Sequence, residues 1–118
     1  MAIKVYAEIG KLNHIGRVGE NKAETLIFDV SKIIDNFGAS GVFSLFVNQN
    51  GDLTTVNSGS NLSYNSNNKT VEWTITSQHT TCVSRGKCQI VYKISSSGII
   101  TKSEVYDIVV TEAYEEGD

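Results

Sequence analysis

The sequence predicts an all-β protein built as a single antiparallel β-sandwich. The 118 residues contain no proline, so long strands can donate every backbone hydrogen bond. β-Branched residues alternate with polar residues in several runs, which is typical of half-buried strands. Segments rich in Asn, Ser and Gly separate these runs at intervals of about eight to twelve residues, the spacing of a jelly-roll or immunoglobulin-like sandwich. We expect about eight or nine strands, with one or two short helical turns.

The strongest strand signals surround a predicted hairpin. Residues 42–47 form the most hydrophobic run and are expected to be a central strand. Asn50–Gly51 follows, and this pair is among the strongest hairpin signals in any sequence. The returning strand is predicted at residues 53–56. Alternation predicts further strands at residues 3–8, 24–30, 70–75, 88–94 and 99–110, with a weaker candidate at 15–18.

Three segments break the alternation. Ser31 is placed to cap one helical turn that carries Ile34 and Phe37 beneath a sheet edge. Residues 77–81 are expected to form a capped turn across one end of the sandwich. Residues 57–68 are almost wholly Ser, Asn and Gly, which predicts an exposed loop with a short edge strand.

Length and charge limit the organisation and the partners. We expect one β-sandwich domain at residues 1–111, followed by an acidic C-terminal tail at residues 112–118. Ten basic and thirteen acidic residues give a net charge of −3, and the basic residues are scattered singly, which disfavours nucleic acid as a partner. No run approaches the roughly 18 apolar residues of a membrane helix. The start of the chain lacks the pattern of a signal peptide, which predicts synthesis in the cytoplasm.

Residues suited to catalysis or metal binding are few. His14 and His79 are the two histidines and lie in unrelated parts of the chain. They do not combine with Cys82 and Cys88 in the spacing of a zinc site, so neither a metal nor a cofactor is expected. The two cysteines could bridge a tight turn, but reduced thiols are favoured in a cytoplasmic product. His79 is expected to face solvent rather than to activate Cys82, and we expect no enzymatic activity.

Aromatic residues leave a second function open. Trp73, Tyr92 and Tyr106 lie within strong strand signals, where packing in the core or across strands is the usual role. Tyr64 lies in the polar segment and is expected to be exposed, as a candidate ligand contact. A small carbohydrate-binding module is therefore the alternative to a structural role.

Several short motifs occur in a recognisable order. Trp73 lies at the centre of the strand 71–75, Gly86 and Cys88 lead into a later strand, and Lys102–Ser103 stands before the last one. In this order they resemble the β-sandwich domain of tail and baseplate proteins from phages and prophages of Gram-positive bacteria. The best-known member of that family is the N-terminal domain of upper baseplate proteins. The similarity spans roughly residues 3 to 111, although His79 replaces an acidic residue of the family pattern and the second glycine of its turn is absent.

The resemblance implies a structural or adaptor domain without enzymatic activity. Its expected partners are other tail or baseplate subunits, and a homo-oligomer, in particular a trimer, is among the expected forms. The expected location is a virion or a prophage-derived particle. Strand edges without proline are the predicted contact sites.

The same motifs have a physical interpretation that does not depend on the family. Trp73 would fill the centre of the sandwich. Gly86 would provide backbone freedom for a tight entry into the strand at Cys88. Lys102 and Ser103 would form an outward pair on a long final strand, with Ser103 satisfying a bulge.

Overall fold

The computed structural model describes residues 3–112 of the chain. Within this range it contains ten strands, one α-helix and a 3-10 turn at Ser77–His79. The elements in chain order are β1 (Ile3–Tyr6), β2 (Leu12–Arg17), β3 (Glu24–Asp29), α1 (Ser31–Phe37), β4 (Val42–Gln49), β5 (Asp52–Asn57), β6 (Leu62–Asn65), β7 (Thr70–Thr74), β8 (Ser84–Ile94), β9 (Ile99–Lys102) and β10 (Tyr106–Thr111).

The strands form two packed sheets, which confirms the prediction of an all-β sandwich. One sheet has the order β1-β3-β7-β6, and the other has the order β2-β10-β8-β4-β5, with β9 also paired to β8. Alternate side chains of both sheets point between them and exclude water from one continuous core. The largest fully buried side chains in this core are Trp73, Tyr92, Phe28, Ile15, Leu26 and Leu45.

Two of the strand pairs are parallel, whereas the sequence predicts an antiparallel sandwich. β1 runs parallel to β3, and β2 runs parallel to β10. The remaining pairs in the described range are antiparallel. The chain leaves the first sheet after β1, forms β2 in the second sheet and returns as β3. This double crossing brings β3 back in the direction of β1, so the two strands pair in parallel.

The helix α1 begins where the sequence predicts, but its cap and its packing differ. Ser31 is not a side-chain cap; instead its backbone N–H donates to Asp29 Oδ1 at 2.9 Å. The hydrogen bonds from Ser31 hold the pKa of the Asp29 carboxyl below its usual range. Ile33 and Ile34 are the buried residues of α1, whereas Phe37 remains exposed. The prediction that Phe37 lies beneath the sheet is therefore wrong.

Most of the predicted acidic tail, residues 113–118, lies outside the described residues, and Glu112 is exposed. Neither helical segment within residues 3–112 has the length and the apolar character needed to cross a membrane.

Candidate functional site

Trp73 occupies the position that the sequence predicts, at the centre of the core. It lies on β7 between Leu26 of β3 and Leu62 of β6, and only 1% of its surface is exposed. Its ring meets the His79 ring edge-on, with centroids 5.3 Å apart. The residue therefore packs the sandwich and does not present a surface for a ligand.

Gly86 lies inside β8 rather than at the entry to a strand. It is paired with Gln49 of β4 on one side and with Ile108 of β10 on the other. Its backbone does not have a positive φ angle, so conformational freedom is not the reason for glycine here. A Cβ atom at this position would overlap the Asn48 carbonyl oxygen and would lie 2.9 Å from the carbonyl carbon. Glycine is required because the β4 backbone approaches too closely for a side chain.

The two cysteines have different environments, and neither forms a disulfide in the described structure. Cys88 is buried in the core, and burial raises the pKa of its thiol to about 12, with a smaller effect from Asp107. Such a thiol stays protonated and is a poor nucleophile. Cys82 is exposed. The two thiols therefore differ in their access to solvent.

Ser103 lies in the interruption between β9 and β10, where the sequence predicts one continuous strand. Its backbone N–H donates to the Ile90 carbonyl oxygen at 2.9 Å, and its hydroxyl accepts the Ile90 N–H at 3.0 Å. The same hydroxyl donates to the Glu104 carbonyl oxygen at 2.8 Å. The Ser103 side chain thus replaces a backbone partner that the interrupted strand cannot offer to β8.

Replacing Ser103 with alanine is expected to lower the free energy of unfolding by about 1–3 kcal/mol, because the buried Ile90 N–H would lose its acceptor. Urea denaturation would measure the change. Ser96→Ala in the exposed hairpin after β8 is the matched control and should stay within about 0.5 kcal/mol of the parent protein. Equal stability of the two variants would contradict this role of Ser103.

Lys102 and Ser103 also line a groove on the described surface. This groove of about 610 Å³ runs between α1 and the β9–β10 interruption. Ile33, Phe37 and Tyr106 contribute its apolar surface, and charged residues including Lys102 and Glu104 surround them. Ser103 therefore has two roles: it lines this groove, and its hydroxyl accepts a hydrogen bond from the Ile90 N–H of β8.

Tyr64 is less accessible than the sequence predicts. It lies on the short edge strand β6, is half-buried, and packs against Phe43 with ring centroids 5.4 Å apart. Tyr92, Tyr106 and Trp73 are buried, so Tyr6 is the one exposed member among the tyrosines and tryptophan of residues 3–112. The described structure thus offers little aromatic surface for stacking on a sugar ring.

His79 is buried, so the prediction that it faces solvent is wrong. Only 4% of its surface is exposed, and its Nε2 lies 3.1 Å from Thr54 Oγ1. Gln49 Nε2 donates to the His79 carbonyl oxygen at 2.8 Å. Nδ1 is buried and has no hydrogen-bond partner among the described residues. His79 therefore does not pair with Cys82, and the polar neighbours of His79 in the sequence gave no signal of its burial.

The stability of the fold should depend on the protonation of His79. Burial lowers the pKa of its imidazole below the ordinary value of 6.5 that applies to the unfolded chain. Near and below pH 6.5 the unfolded chain therefore binds more protons than the folded chain does. The free energy of unfolding should accordingly fall as the pH decreases below about 6.5. Urea denaturation at a series of pH values from about 8 to about 5.5 would measure this dependence.

The control for this dependence uses both histidines. His79→Gln should flatten the dependence on pH, because the buried titrating group is gone. His14→Gln, which changes the half-buried histidine beside Glu24, should retain the decline. A decline of the same size in His79→Gln would mean that other groups cause it.

The strand β1 forms an open edge of the first sheet. Ile3 N–H donates to the Ala23 carbonyl oxygen at 2.9 Å and Ala7 N–H donates to the Ile27 carbonyl oxygen at 2.7 Å. Because backbone groups alternate along a strand, the N–H and C=O groups of Lys4 and Tyr6 point away from β3. No strand within residues 3–112 pairs with this side of β1.

The side chains of β1 are also uncovered. All four residues are exposed, with exposed fractions of 64% for Ile3, 47% for Val5 and 56% for Tyr6. Lys4, the charged residue of the strand, forms an ion pair with Glu72 at 3.1 Å. β1 therefore combines unpaired backbone groups with exposed apolar side chains.

No cluster of three or more His, Cys, Asp or Glu side chains that could hold a metal is present in residues 3–112. No protein-family model matches the chain, and no curated protein shows significant similarity to it. The open edge at β1 is a feature of the surface that no other strand within residues 3–112 covers.

Proposed function

We propose that the protein is a structural or adaptor domain, without enzymatic activity, of a phage-derived tail or baseplate assembly. It acts through protein–protein contacts made by its sheet edges. The observation that carries this proposal is the open edge at β1, with its exposed apolar side chains. The order of the motifs around Trp73, Gly86, Cys88 and Lys102–Ser103 supports the assignment to a phage-derived particle.

The composition of β1 supports a contact role. Free-standing proteins usually protect an edge strand with proline, a bulge, a short length or charged side chains. β1 is short, but it has no proline, and Lys4 is already paired with Glu72. Ile3, Val5 and Tyr6 stay in water unless a partner covers them. A strand with these features is typical of a protein whose edge is covered by a partner in an assembly.

A firmly held framework supports an adaptor role. The Tyr92 hydroxyl donates to the Gly38 carbonyl oxygen at 2.7 Å and accepts the Gly41 N–H at 2.8 Å. This buried side chain thereby fixes the connection between α1 and β4 to the second sheet. Together with the continuous core, it gives a domain whose edges keep a defined geometry, as assembly through those edges requires.

Fractionation of particles from the bacterium that carries the gene would test the proposal. Particles would be purified on a density gradient after prophage induction and analysed by mass spectrometry. We expect this chain to sediment with tail or baseplate subunits, and its gene to lie beside tail, holin or lysin genes.

The contrary results are equally specific. Recovery of the chain only from the unassembled fraction, with a gene located among polysaccharide-utilisation genes, would overturn the proposal. Specific binding of the purified protein to a glycan array would instead support the carbohydrate-binding alternative.

A further inference from the structure

We propose that β1 pairs antiparallel with β1 of a second copy of this chain, about a two-fold axis at Val5. The pairing joins the two four-stranded sheets, each of order β1-β3-β7-β6, into one sheet across the dimer. This inference rests on the contact role proposed for the sheet edges, and it adds the identity of the partner and the register of the pairing.

The backbone of β1 is self-complementary in this register. In an antiparallel pair, residues that exchange two hydrogen bonds alternate with residues that exchange none. Lys4 and Tyr6 carry the outward N–H and C=O groups and are two residues apart, so Lys4 of each copy lies opposite Tyr6 of the other. Val5 then lies opposite Val5. All four outward groups of each copy are paired, which makes four hydrogen bonds between the strands.

The side chains fit the same register. Each Lys4 faces a tyrosine ring rather than another lysine, so like charges do not meet and a cation–π contact becomes available. The two Val5 residues occupy the closely spaced position, with Cα atoms about 4.5 Å apart. A register shifted by two residues in one direction would place Lys4 opposite Lys4 and would leave both outward groups of Tyr6 without their partner in β1. A shift in the other direction would place Tyr6 opposite Tyr6 and Lys4 opposite Glu8, whose backbone N–H and C=O groups are already bonded to the Asn13 side chain. The Val5-centred pairing is thus favoured over both of its nearest competitors.

Asn13 sets the end of the available edge. Its Oδ1 accepts the Glu8 N–H at 2.9 Å, and its Nδ2 donates to the Glu8 carbonyl oxygen at 3.0 Å. The backbone groups of Glu8 that would continue the edge are therefore already satisfied within the chain. The open edge is short, and so small a contact area predicts a weak, concentration-dependent dimer.

Sedimentation analysis of the full chain from about 10 µM to about 1 mM would test the pairing. We expect a monomer–dimer equilibrium in the parent protein. Val5→Lys and Val5→Glu should each be monomeric, because each places two like charges at the two-fold axis. An equimolar mixture of the two variants should restore the dimer, because opposite charges then meet.

Leu53→Lys is the matched control for these variants. Leu53 is an apolar residue of β5, 70% exposed, on an edge of the other sheet. This variant should dimerise like the parent protein. Thermal unfolding of all variants, followed by circular dichroism, would verify that each monomeric variant is folded.

A cross-linking experiment detects the same pairing even when the dimer is weak. Exposed Cys82 would first be replaced by serine. In that background, Val5→Cys should form a disulfide-linked dimer under oxidised glutathione, because the Val5 spacing lies within the range that a disulfide spans. Lys4→Cys, which lies opposite Tyr6 in the proposed register, should cross-link much more slowly.

Three results would overturn the pairing. They are a monomer over the whole concentration range with no Val5→Cys cross-link, a trimer, and a dimer that survives both charged variants at Val5. These results test the pairing alone and do not decide whether the protein belongs to a phage-derived particle. A dimer through β1 without any particle association would remove the assignment and keep the pairing. Particle association of a parent protein that stays monomeric and gives no Val5→Cys cross-link would keep the assignment and remove the pairing.

Discussion

Gly86→Ala is expected to destabilise the protein by about 3 kcal/mol or more, at the upper end of the range for overpacked sites. The added methyl group would overlap the carbonyl group of Asn48, which is backbone and cannot move by changing a rotamer. Relief requires β4 and β8 to separate in the middle of the second sheet, where Val47 and Cys88 on the two strands are both buried. Urea denaturation followed by circular dichroism would measure the loss.

Gly59→Ala is the control for this prediction. The nearest atom to a Cβ at Gly59 is the Asn57 carbonyl oxygen at 4.0 Å, and the backbone there does not lie in the left-handed region. We expect Gly59→Ala to change the free energy of unfolding by no more than about 0.5 kcal/mol. If Gly86→Ala were as stable as Gly59→Ala, the close approach of β4 would not be the reason for glycine.

Trp73→Ala is expected to lower the free energy of unfolding by about 3–5 kcal/mol. The variant removes the largest buried side chain and leaves a cavity between the two sheets. It also removes the ring that packs edge-on against His79, so the cavity would adjoin a buried polar atom without a partner. Since the chain has one tryptophan, unfolding must be followed by far-ultraviolet circular dichroism rather than by tryptophan fluorescence.

Two further variants separate cavity formation from a general effect of substitution. Trp73→Phe retains an aromatic ring and should lose clearly less stability than Trp73→Ala. Leu53→Ala truncates an exposed side chain and should remain within about 0.5 kcal/mol of the parent protein. A loss for Trp73→Ala no larger than that for Leu53→Ala would place the tryptophan outside the energetically important core.

The features of the fold that follow from local patterns were predictable from the sequence. Alternation around Trp73 predicts a strand with this residue inward, and β7 has that arrangement. Asn50–Gly51 predicts the hairpin, and β4 and β5 flank this pair. Both features depend on side-chain period and turn chemistry, which a single sequence contains.

The features that depend on pairing between distant segments were not predictable in the same way. A run such as residues 3–6 has the same alternation whether its neighbour runs parallel or antiparallel, so the parallel partner of β1 is not visible in it. Likewise, Gly86 needs to be glycine because of Asn48, a residue on another strand. His79 is flanked by polar residues, and only the approach of β5, with Thr54, and of Trp73 explains its burial.

The pairing of β2 with β10 has a consequence for the order of folding. Asn13 and Asp107 lie 94 residues apart, and the hydrogen bond between them belongs to this pairing. During synthesis β2 leaves the ribosome long before β10 exists, so the edge of the second sheet that holds β2 forms late. Since contacts between distant residues slow folding, we expect β4, β5 and β8 to associate first and β2 to dock afterwards. The interval before docking is when a nascent chain with unpaired N-terminal strands would be most exposed to aggregation.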